Sequence, residues 1–256
     1  MEFASPATAR TYSDRTVDPG WVDWAAATLS PTGKDVVDIG CGGGIYSCGF
    51  AALNARSVIG IDSSPQYIAE AGAGALDAGR LTFRLGTAAD TALADESADL
   101  VFERALIHHL TTEEKIANAR EARRLLRSDG MLVVQDRTLE DVQASEPRYW
   151  IRATLFETFP RLLEFERARR PSRQHYAALL EKAGFGSVRQ CSFDEVRRTY
   201  DSFAQLGDEI RSRKGKSILF QLSDEELEVY CDRLRSKAED HPLIERDPWT
   251  VWLASK

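Results

Sequence analysis

The segment VVDIGCGGG, residues 36–44, has the residue types and the spacing to bind a small charged ligand. Its glycines Gly40, Gly42 and Gly44 stand at alternate positions, and each omits a side chain where a ligand would have to approach the backbone closely. The helix that follows such a loop offers free N–H groups and positive potential to a carboxylate or a phosphate. Asp38, two residues before the first glycine, suits a ligand that also carries an ammonium group.

A second carboxylate, Asp62, ends the apolar segment SVIGID, residues 57–62. Open parallel sheets bind ligands at the carboxyl edge of the strands, where an acid can accept hydrogen bonds from both hydroxyls of a ribose. A NAD-type oxidoreductase would need the spacing G-x-G-x-x-G, but the sixth position counted from Gly40 is Ile45. That class is therefore the weaker alternative, and a spectral scan for bound nicotinamide would test it.

Short apolar segments alternate with helical stretches over the first 140 residues. Most of these segments are continuously apolar, which is typical of strands in a parallel sheet that helices cover on both faces. The predicted strands are DVVDIG (35–40), SVIGID (57–62), LTFRLG (81–86), ADLVFER (98–104), MLVVQD (131–136), part of AGFGSVRQCSF (183–193) and WTVWLA (249–254). The turn signal Ser128-Asp129-Gly130 is expected to precede the fifth strand.

The sequence therefore predicts a doubly wound α/β fold with a mostly parallel seven-stranded sheet and helices on both faces. Residues 1–256 are expected to form a single domain, with residues 1–30 as an N-terminal arm or lid. Helical insertions are expected at 139–183, after strand five, and at 200–247, between strands six and seven. Segments that connect the elements of a fold often carry its specificity. We therefore expect these insertions to form a lid over the site.

Three segments together resemble the class I S-adenosylmethionine-dependent methyltransferases. They are VVDIGCGGG, the segment IGIDSSP, and LGTAADTALADESADLVFERALIHHL, residues 85–110. The resemblance is close over residues 30–140 and weak elsewhere. It implies methyl transfer from S-adenosyl-L-methionine to an O, N or C nucleophile of a small-molecule acceptor, with S-adenosyl-L-homocysteine as the product. It also implies that the seventh strand runs antiparallel.

The resemblance also implies a donor site. Asp38 and the glycine loop would face the methionine part, Asp62 the ribose, and Thr87 and Ala88 the adenine. Relatives often carry an acid at the place of Thr87, and Asp90 is the alternative acid here. The residues assigned to cofactor binding are Arg15, Asp38, Gly40, Cys41, Gly42, Gly44, Asp62, Ser63, Thr87, Ala88 and Arg104. Arg104 would bind the donor carboxylate or an acidic acceptor, and Arg15 would close over the donor.

Catalysis of this transfer does not require a fixed side chain, because the donor methyl group is already activated. Alignment and exclusion of water can supply much of the rate, and a general base is needed only when the nucleophile carries a proton. His109, in ALIHHL after the fourth strand, is the candidate base, with a structural role as the alternative. His108 is expected to be structural. Some relatives pair such a histidine with a tyrosine of the N-terminal arm, which would here be Tyr12.

Charge and composition narrow the class of acceptor and partner. The chain of 256 residues has a net charge of -7, which disfavours a general binder of phosphate backbones. An RNA or tRNA methyltransferase is thus the less favoured alternative to the small-molecule enzyme. A donor-binding protein without catalysis is a second alternative. Two basic runs, 167–173 and 210–216, are expected to be solvated faces. If both face the cleft, they would favour an anionic acceptor.

The remaining expectations concern location, metals and assembly. The four cysteines show no C-x-x-C spacing and are predicted to be free thiols in a reducing compartment, so a cytoplasmic location is expected. No segment approaches the roughly 20 apolar residues of a membrane span, and no membrane partner is expected. The histidines and cysteines lack ligand spacing, so no metal is implied. A homodimer is possible.

Overall fold

A computed structural model describes residues 17–74, 79–213, 215–239 and 241–256, and its centre is one sheet of seven strands. The strands are β1 (Asp35–Ile39), β2 (Ser57–Asp62), β3 (Leu81–Leu85), β4 (Ala98–Arg104), β5 (Leu126–Asp136), β6 (Ser187–Thr199) and β7 (Ile244–Ser255). Their order across the sheet is β3-β2-β1-β4-β5-β7-β6. All neighbours from β3 to β5 pair in parallel, whereas β7 is antiparallel to both β5 and β6. The predicted fold class and the antiparallel last strand are confirmed.

The helices cover both faces of this sheet. They are α1 (Pro19–Leu29), α2 (Ile45–Ala52), α3 (Pro65–Gly74), α4 (Thr112–Leu125), α5 (Leu139–Val142), α6 (Trp150–Thr158), α7 (Arg161–Arg169), α8 (Arg173–Lys182), α9 (Phe203–Arg211) and α10 (Asp224–Lys237). Short 3-10 turns span Ile107–His109, Pro147–Tyr149 and Ser217–Gln221. Local sequence fixes several helix starts; at α4, Thr111 accepts from the Glu114 backbone N–H while the Glu114 side chain accepts from Thr111.

Two apolar cores lie on the two faces of the sheet. On one face, α1 and α2 bury Trp21 and Phe50 against strand residues such as Phe102. On the other face, α4 and α8 pack against the sheet, and Tyr176 of α8 meets Trp252 of β7 edge to face. Because successive residues of a strand point to opposite faces, each central strand contributes to both cores. The strand order reverses at β1, between β2 and β4, which places the binding crevice at the carboxyl ends of these strands.

A third apolar core joins the two helical insertions to each other. Its buried residues come from 142–162 and from 200–234, among them Leu155, Leu206 and Leu234. The first insertion is shorter than predicted, since α8 belongs to the sheet core. The second ends before Ile244, where β7 begins, rather than at residue 247. The insertions thus form a separate layer that is held together by its own packing.

Strands β6 and β7 are longer than the predicted segments. They pair from Ser187 opposite Ser255 to Thr199 opposite Ile244, and Glu195 lies opposite Asp247. Their outer halves carry charged residues in place of the apolar runs by which the other strands were recognised. Strand β5 also begins early, at Leu126, and its register shifts against β4, so the predicted turn at 128–130 lies inside the strand.

Candidate active site

The glycine loop turns the chain from β1 into α2 and is tied to β2. The backbone N–H groups of Gly40 and Cys41 donate to the carbonyl oxygen of Ile61 at 2.8 and 3.0 Å. The carboxylate of Asp62 accepts from the N–H groups of Gly42 and Ser64, each at 2.9 Å. Asp62 therefore fixes the loop and the start of α3 in addition to facing the cavity described below.

Two of the loop glycines serve different purposes. Gly42 has a φ of +52°, and a Cβ added there would meet nothing within 4 Å. Gly44 has a φ of +79°, and a Cβ there would lie 2.6 Å from the ring of Phe83. Gly42 lines the cavity and Gly44 does not. The structure thus gives Gly44 a packing reason, the close approach of α2 to β3, instead of the predicted approach to a ligand.

Asp38 is a buried carboxylate at the carboxyl end of β1. The Ser47 hydroxyl of α2 donates to it at 2.5 Å. Burial raises the pKa of Asp38 to about 7, with nearby Asp62 adding to the rise and Ser47 opposing it. A cationic ligand group at Asp38 would therefore find a carboxyl that is partly protonated near neutral pH.

A cavity of about 620 Å³ begins at the glycine loop and continues beneath the insertions. It brings together nine of the eleven residues assigned to the donor: Asp38, Gly40, Cys41, Gly42, Asp62, Ser63, Thr87, Ala88 and Arg104. Gly44 lies off the wall, and Arg15, like the candidate catalytic Tyr12, lies outside the described residues. The part of the cavity next to the glycine loop, here called the donor half, is also lined by Tyr46, Tyr67 and Leu106, which no sequence pattern indicated.

Thr87 and Cys41 occupy the cavity wall with side chains already engaged. The Thr87 hydroxyl accepts from the backbone N–H of Asp90 at 3.0 Å. The Asp90 carboxylate accepts from the N–H of Ala92 at 3.2 Å, and Asp90 does not line the cavity. Cys41 packs over Gly60, and burial raises the pKa of its thiol, so the thiol is neutral.

Both histidines after β4 line the cavity, and His108 has a carboxylate partner. His108 Nδ1 lies 2.9 Å from Asp136, at the end of the neighbouring strand β5. Burial lowers the pKa of His108 to about 4, so its ring is neutral at pH 7. Burial alone would raise the pKa of Asp136, but His108 and Arg170 hold it well below its ordinary value. His109 is exposed and lines the cavity, and the centres of the His108 and His109 rings lie 4.0 Å apart.

Arg104, at the end of β4, is held between two aromatic rings. Its guanidinium lies 4.3 Å from the centre of the Tyr46 ring and 4.1 Å from that of Trp249. It also forms an ion pair with buried Glu195 of β6. The Tyr46 hydroxyl donates to the same carboxylate at 2.5 Å. Arg104 therefore stands at the boundary between the donor half and the inner half of the cavity.

The inner half of the cavity is built by residues of the insertions and of the outer ends of β5, β6 and β7. Its apolar part consists of Leu155, Ile218, Leu219, Tyr230 and Trp249. Its charged part consists of Arg137, Arg152, Glu166, Arg169, Arg170, Arg197, Lys216, Glu245 and Asp247. The described part of the chain contains no group of three or more histidine, cysteine or acidic side chains arranged to hold a metal ion.

Comparison with known proteins gives a consistent result. Residues 37–134 match the family model described as a methyltransferase domain. An uncharacterized methyltransferase of Bacillus subtilis, YcgJ, is 25% identical over 213 residues, which cover 80% of this chain and 78% of the relative. A ubiquinone biosynthesis O-methyltransferase of Cereibacter sphaeroides is 35% identical over 109 residues, 42% of this chain and 43% of the relative.

Among solved structures, one similar fold is a putative methyltransferase from an antibiotic biosynthesis pathway of Anabaena variabilis. The two superpose with a TM-score of 0.72 at 20% identity, covering 94% of this chain and 99% of the other. The chain thus contains a methyltransferase domain, whose matched residues 37–134 include the glycine loop, Asp62 and the strands around them, and it has the class I methyltransferase fold. Its methyl donor is S-adenosyl-L-methionine, and S-adenosyl-L-homocysteine is the product.

Proposed function

We propose that the acceptor is a small molecule that binds in the inner half of the cavity, beneath the insertions. The observation that carries this proposal is the continuity of one cavity from Gly42 to the insertion residues Leu155 and Tyr230. An acceptor there would lie against the donor half while the insertion layer covers it from water. The relative named for ubiquinone biosynthesis supports a small acceptor as well. A nucleic acid would instead need an open basic surface.

The donor half has the chemistry that S-adenosylmethionine requires. Asp38 offers a carboxyl for an ammonium group, Asp62 retains acceptor capacity for hydroxyls, and Gly42 leaves the backbone open to close approach. When bound, S-adenosylmethionine supplies a methyl group that its positive sulfur has already activated. Thr87 and Ala88 would contact the adenine, and Ser63 would lie beside the ribose. Arg104 would lie between the carboxylate of the donor and the acceptor.

For an acceptor that carries a proton, two histidines are candidate bases. His109 remains the base that the sequence predicts, with Tyr12 as its partner. The geometry adds His108 as a second candidate. The ionised Asp136 carboxylate can only accept, so the neutral His108 ring would donate from Nδ1 and keep Nε2 to receive the proton.

Steady-state rates with labelled donor would separate the two candidates once an acceptor is found. General-base catalysis contributes typically 10²–10⁴-fold, so we expect a loss of at least about 100-fold from His108→Gln or from His109→Ala. The affinity for S-adenosylhomocysteine should stay unchanged in the variant that loses rate. Near wild-type turnover in both variants and in Tyr12→Phe would end the base hypothesis.

Calorimetry with S-adenosylhomocysteine tests the donor site. We expect wild-type protein to bind and Asp62→Asn to bind about tenfold or more weakly, because a charged hydrogen-bond acceptor is lost. Asp90→Asn is the matched control, since Asp90 lies close in sequence to Thr87 but off the cavity wall. A folded wild-type chain without affinity would contradict the proposal. Turnover of labelled donor against a metabolite panel distinguishes an enzyme from a donor-binding protein without catalysis.

A cytoplasmic location and a homodimer remain predictions of this proposal. All four cysteines are free thiols, which supports a reducing compartment. None of the helices in the described ranges is long and apolar enough to cross a membrane. Fractionation of the cells and light scattering of the purified protein would test the two predictions.

A further inference from the structure

The inner half of the cavity is lined by an unusual number of cations. They come from β4 and β6, from the residue after β5, from the first insertion, and from the loop after α9. These cations are Arg104, Arg137, Arg152, Arg169, Arg170, Arg197 and Lys216. A buried cation is costly unless it is paired, so their partners decide what this wall can bind.

The partners are carboxylates that lie deeper than the cations. Arg137 and Arg152 both pair with Asp247; their side chains are 13% exposed, and that of Asp247 is 1% exposed. Lys216 is 12% exposed and pairs at 3.0 Å with Glu245, which is 3% exposed. In these pairs the positive group is the more exposed member, although Asp247 and Glu245 also line the cavity. The wall therefore presents positive charge to whatever occupies the inner half.

The pairing also leaves an excess of positive charge. Seven cations face six buried carboxylates, which are Asp136, Glu166, Glu195, Glu209, Glu245 and Asp247. Glu209 is shared further with Arg198. The Nε atoms of Arg104 and Arg137 find no hydrogen-bond acceptor among the described residues. Burial, together with Arg152 alongside, lowers the pKa of Arg137 to about 9, as expected for an under-compensated guanidinium.

We propose that the acceptor carries an oxyanion group, a carboxylate or a phosphomonoester, that binds to this cationic wall. The proposal rests on the proposed function and names the class of its acceptor. Arginine forks suit both groups, because each offers oxygens to parallel N–H donors. The excess of positive charge favours an anionic group over a neutral one at this wall. The neighbouring Leu155, Ile218 and Tyr230 suit an apolar body on the same molecule.

The two basic runs of the sequence contribute to this wall with only some of their residues. Arg169 and Arg170 of the run 167–173 reach the cavity, as does Lys216 of the run 210–216. Arg167 is exposed and pairs with Glu164, and Arg211 pairs with Glu228 on the outer surface. Both runs therefore face the cleft in part, and each provides an internal control outside it.

Binding of three probes to protein saturated with S-adenosylhomocysteine tests the inference. The probes are benzoate, phenyl phosphate and the neutral benzamide, which share a ring and differ in charge. We expect at least one of the anions to bind about tenfold or more tightly than benzamide, because hydrogen bonds between charged groups are stronger than those to a neutral amide. Which anion binds better identifies the carboxylate or the phosphoryl source.

Paired variants locate the site. Lys216→Met and Arg169→Met each leave their carboxylates a remaining arginine, Arg197 at 2.6 Å from Glu245 and Arg170 at Glu166, so both should fold. We expect each to weaken anion binding about tenfold, while the controls Arg211→Met and Arg167→Met leave it unchanged. Thermal denaturation verifies that all four are folded.

Three results would overturn the inference. One is equal affinity for benzamide and both anions, or no binding of either anion. Another is equal anion affinity in the cavity variants and their controls. The third is a selective loss of S-adenosylhomocysteine affinity in the cavity variants, which would assign these cations to the donor carboxylate. A wild-type chain that binds no S-adenosylhomocysteine would instead refute the proposed function itself.

Discussion

Asp38 couples donor binding to pH, because its pKa of about 7 lies well above the ordinary 3.8. In the free protein the carboxyl is protonated at pH 6 and ionised at pH 8. A ligand ammonium favours the ionised form, so binding at pH 6 must displace a proton. We expect the affinity for S-adenosylhomocysteine to rise about tenfold from pH 6 to pH 8, measured by calorimetry.

The sign for stability is opposite in the ligand-free protein. A raised pKa in the folded state means that stability falls as the pH rises from about 4 to about 7. Burial raises the pKa of nearby Glu103 to about 8, so its contribution to stability also falls as the pH rises towards 8. Asp38→Asn keeps Glu103 and removes the titration at β1. If Asp38→Asn still shows the full rise in S-adenosylhomocysteine affinity from pH 6 to pH 8, a group other than Asp38 causes that rise.

Single residues were predictable where their neighbours in sequence are also their neighbours in space. Asp38, Gly42 and Asp62 lie at or just after the carboxyl ends of β1 and β2, and their types alone indicate a ligand site. The pairing of His108 with Asp136 was missed because it crosses between β4 and β5. The sequence did carry a signal: both residues follow or end adjacent parallel strands, and Arg104 lies opposite Gln135 in the register.

At the scale of elements, the packing of α2 depends on Gly44, whereas binding of the donor depends on Gly42. Gly33, Gly42 and Gly44 all have positive φ, which costs a non-glycine residue roughly 1–2 kcal/mol. Gly44→Ala adds a clash with Phe83, so we expect it to lose about 1–3 kcal/mol more stability than Gly33→Ala. Denaturant unfolding measures both.

Gly42→Ala should differ from Gly33→Ala in binding rather than in stability. Both positions have space for a methyl group, but only Gly42 faces the cavity. We expect similar unfolding free energies and a loss of S-adenosylhomocysteine affinity in Gly42→Ala alone. Equal affinity in the two variants would mean that the loop does not contact the donor.

The lengths of β6 and β7 could not be predicted from apolar periodicity. Their outer halves contain Glu195, Arg197, Glu245 and Asp247, all buried or nearly so. These residues are tolerated because ion pairs replace apolar contacts there. Charged residues normally indicate positions that are exposed to solvent. The hydrophobic pattern therefore predicts strands that end too early.

At the scale of the whole molecule, the insertions have an apolar core of their own, so we expect them to unfold locally while the sheet stays folded. Leu206 lies in the insertion core and Leu180 in the sheet core, and both are 0% exposed. Truncation of a buried leucine costs about 2–5 kcal/mol. We expect Leu206→Ala to raise amide exchange in α9 and α10 and leave β1 and β4 protected, as local unfolding requires.

Leu180→Ala is the matched change and should instead lower protection throughout the sheet. Exchange that rises equally everywhere in both variants would show that the insertions and the sheet unfold as one unit. The alternation of strands and helices predicted the sheet core, because that pattern is local. The contact between the two insertions joins distant segments and has no comparable signature.

The register of β6 and β7 also has a consequence for how the chain folds. Glu195 and Asp247 face each other across these strands, and like charges in that position repel. Arg104 of β4 pairs with Glu195, and Arg137 after β5 and Arg152 of α6 pair with Asp247, so these guanidinium groups relieve the repulsion. We therefore expect the end of the strand pair at Ser187 and Ser255 to form before the end that contains Glu195 and Asp247, because the charged end needs guanidinium groups from other elements.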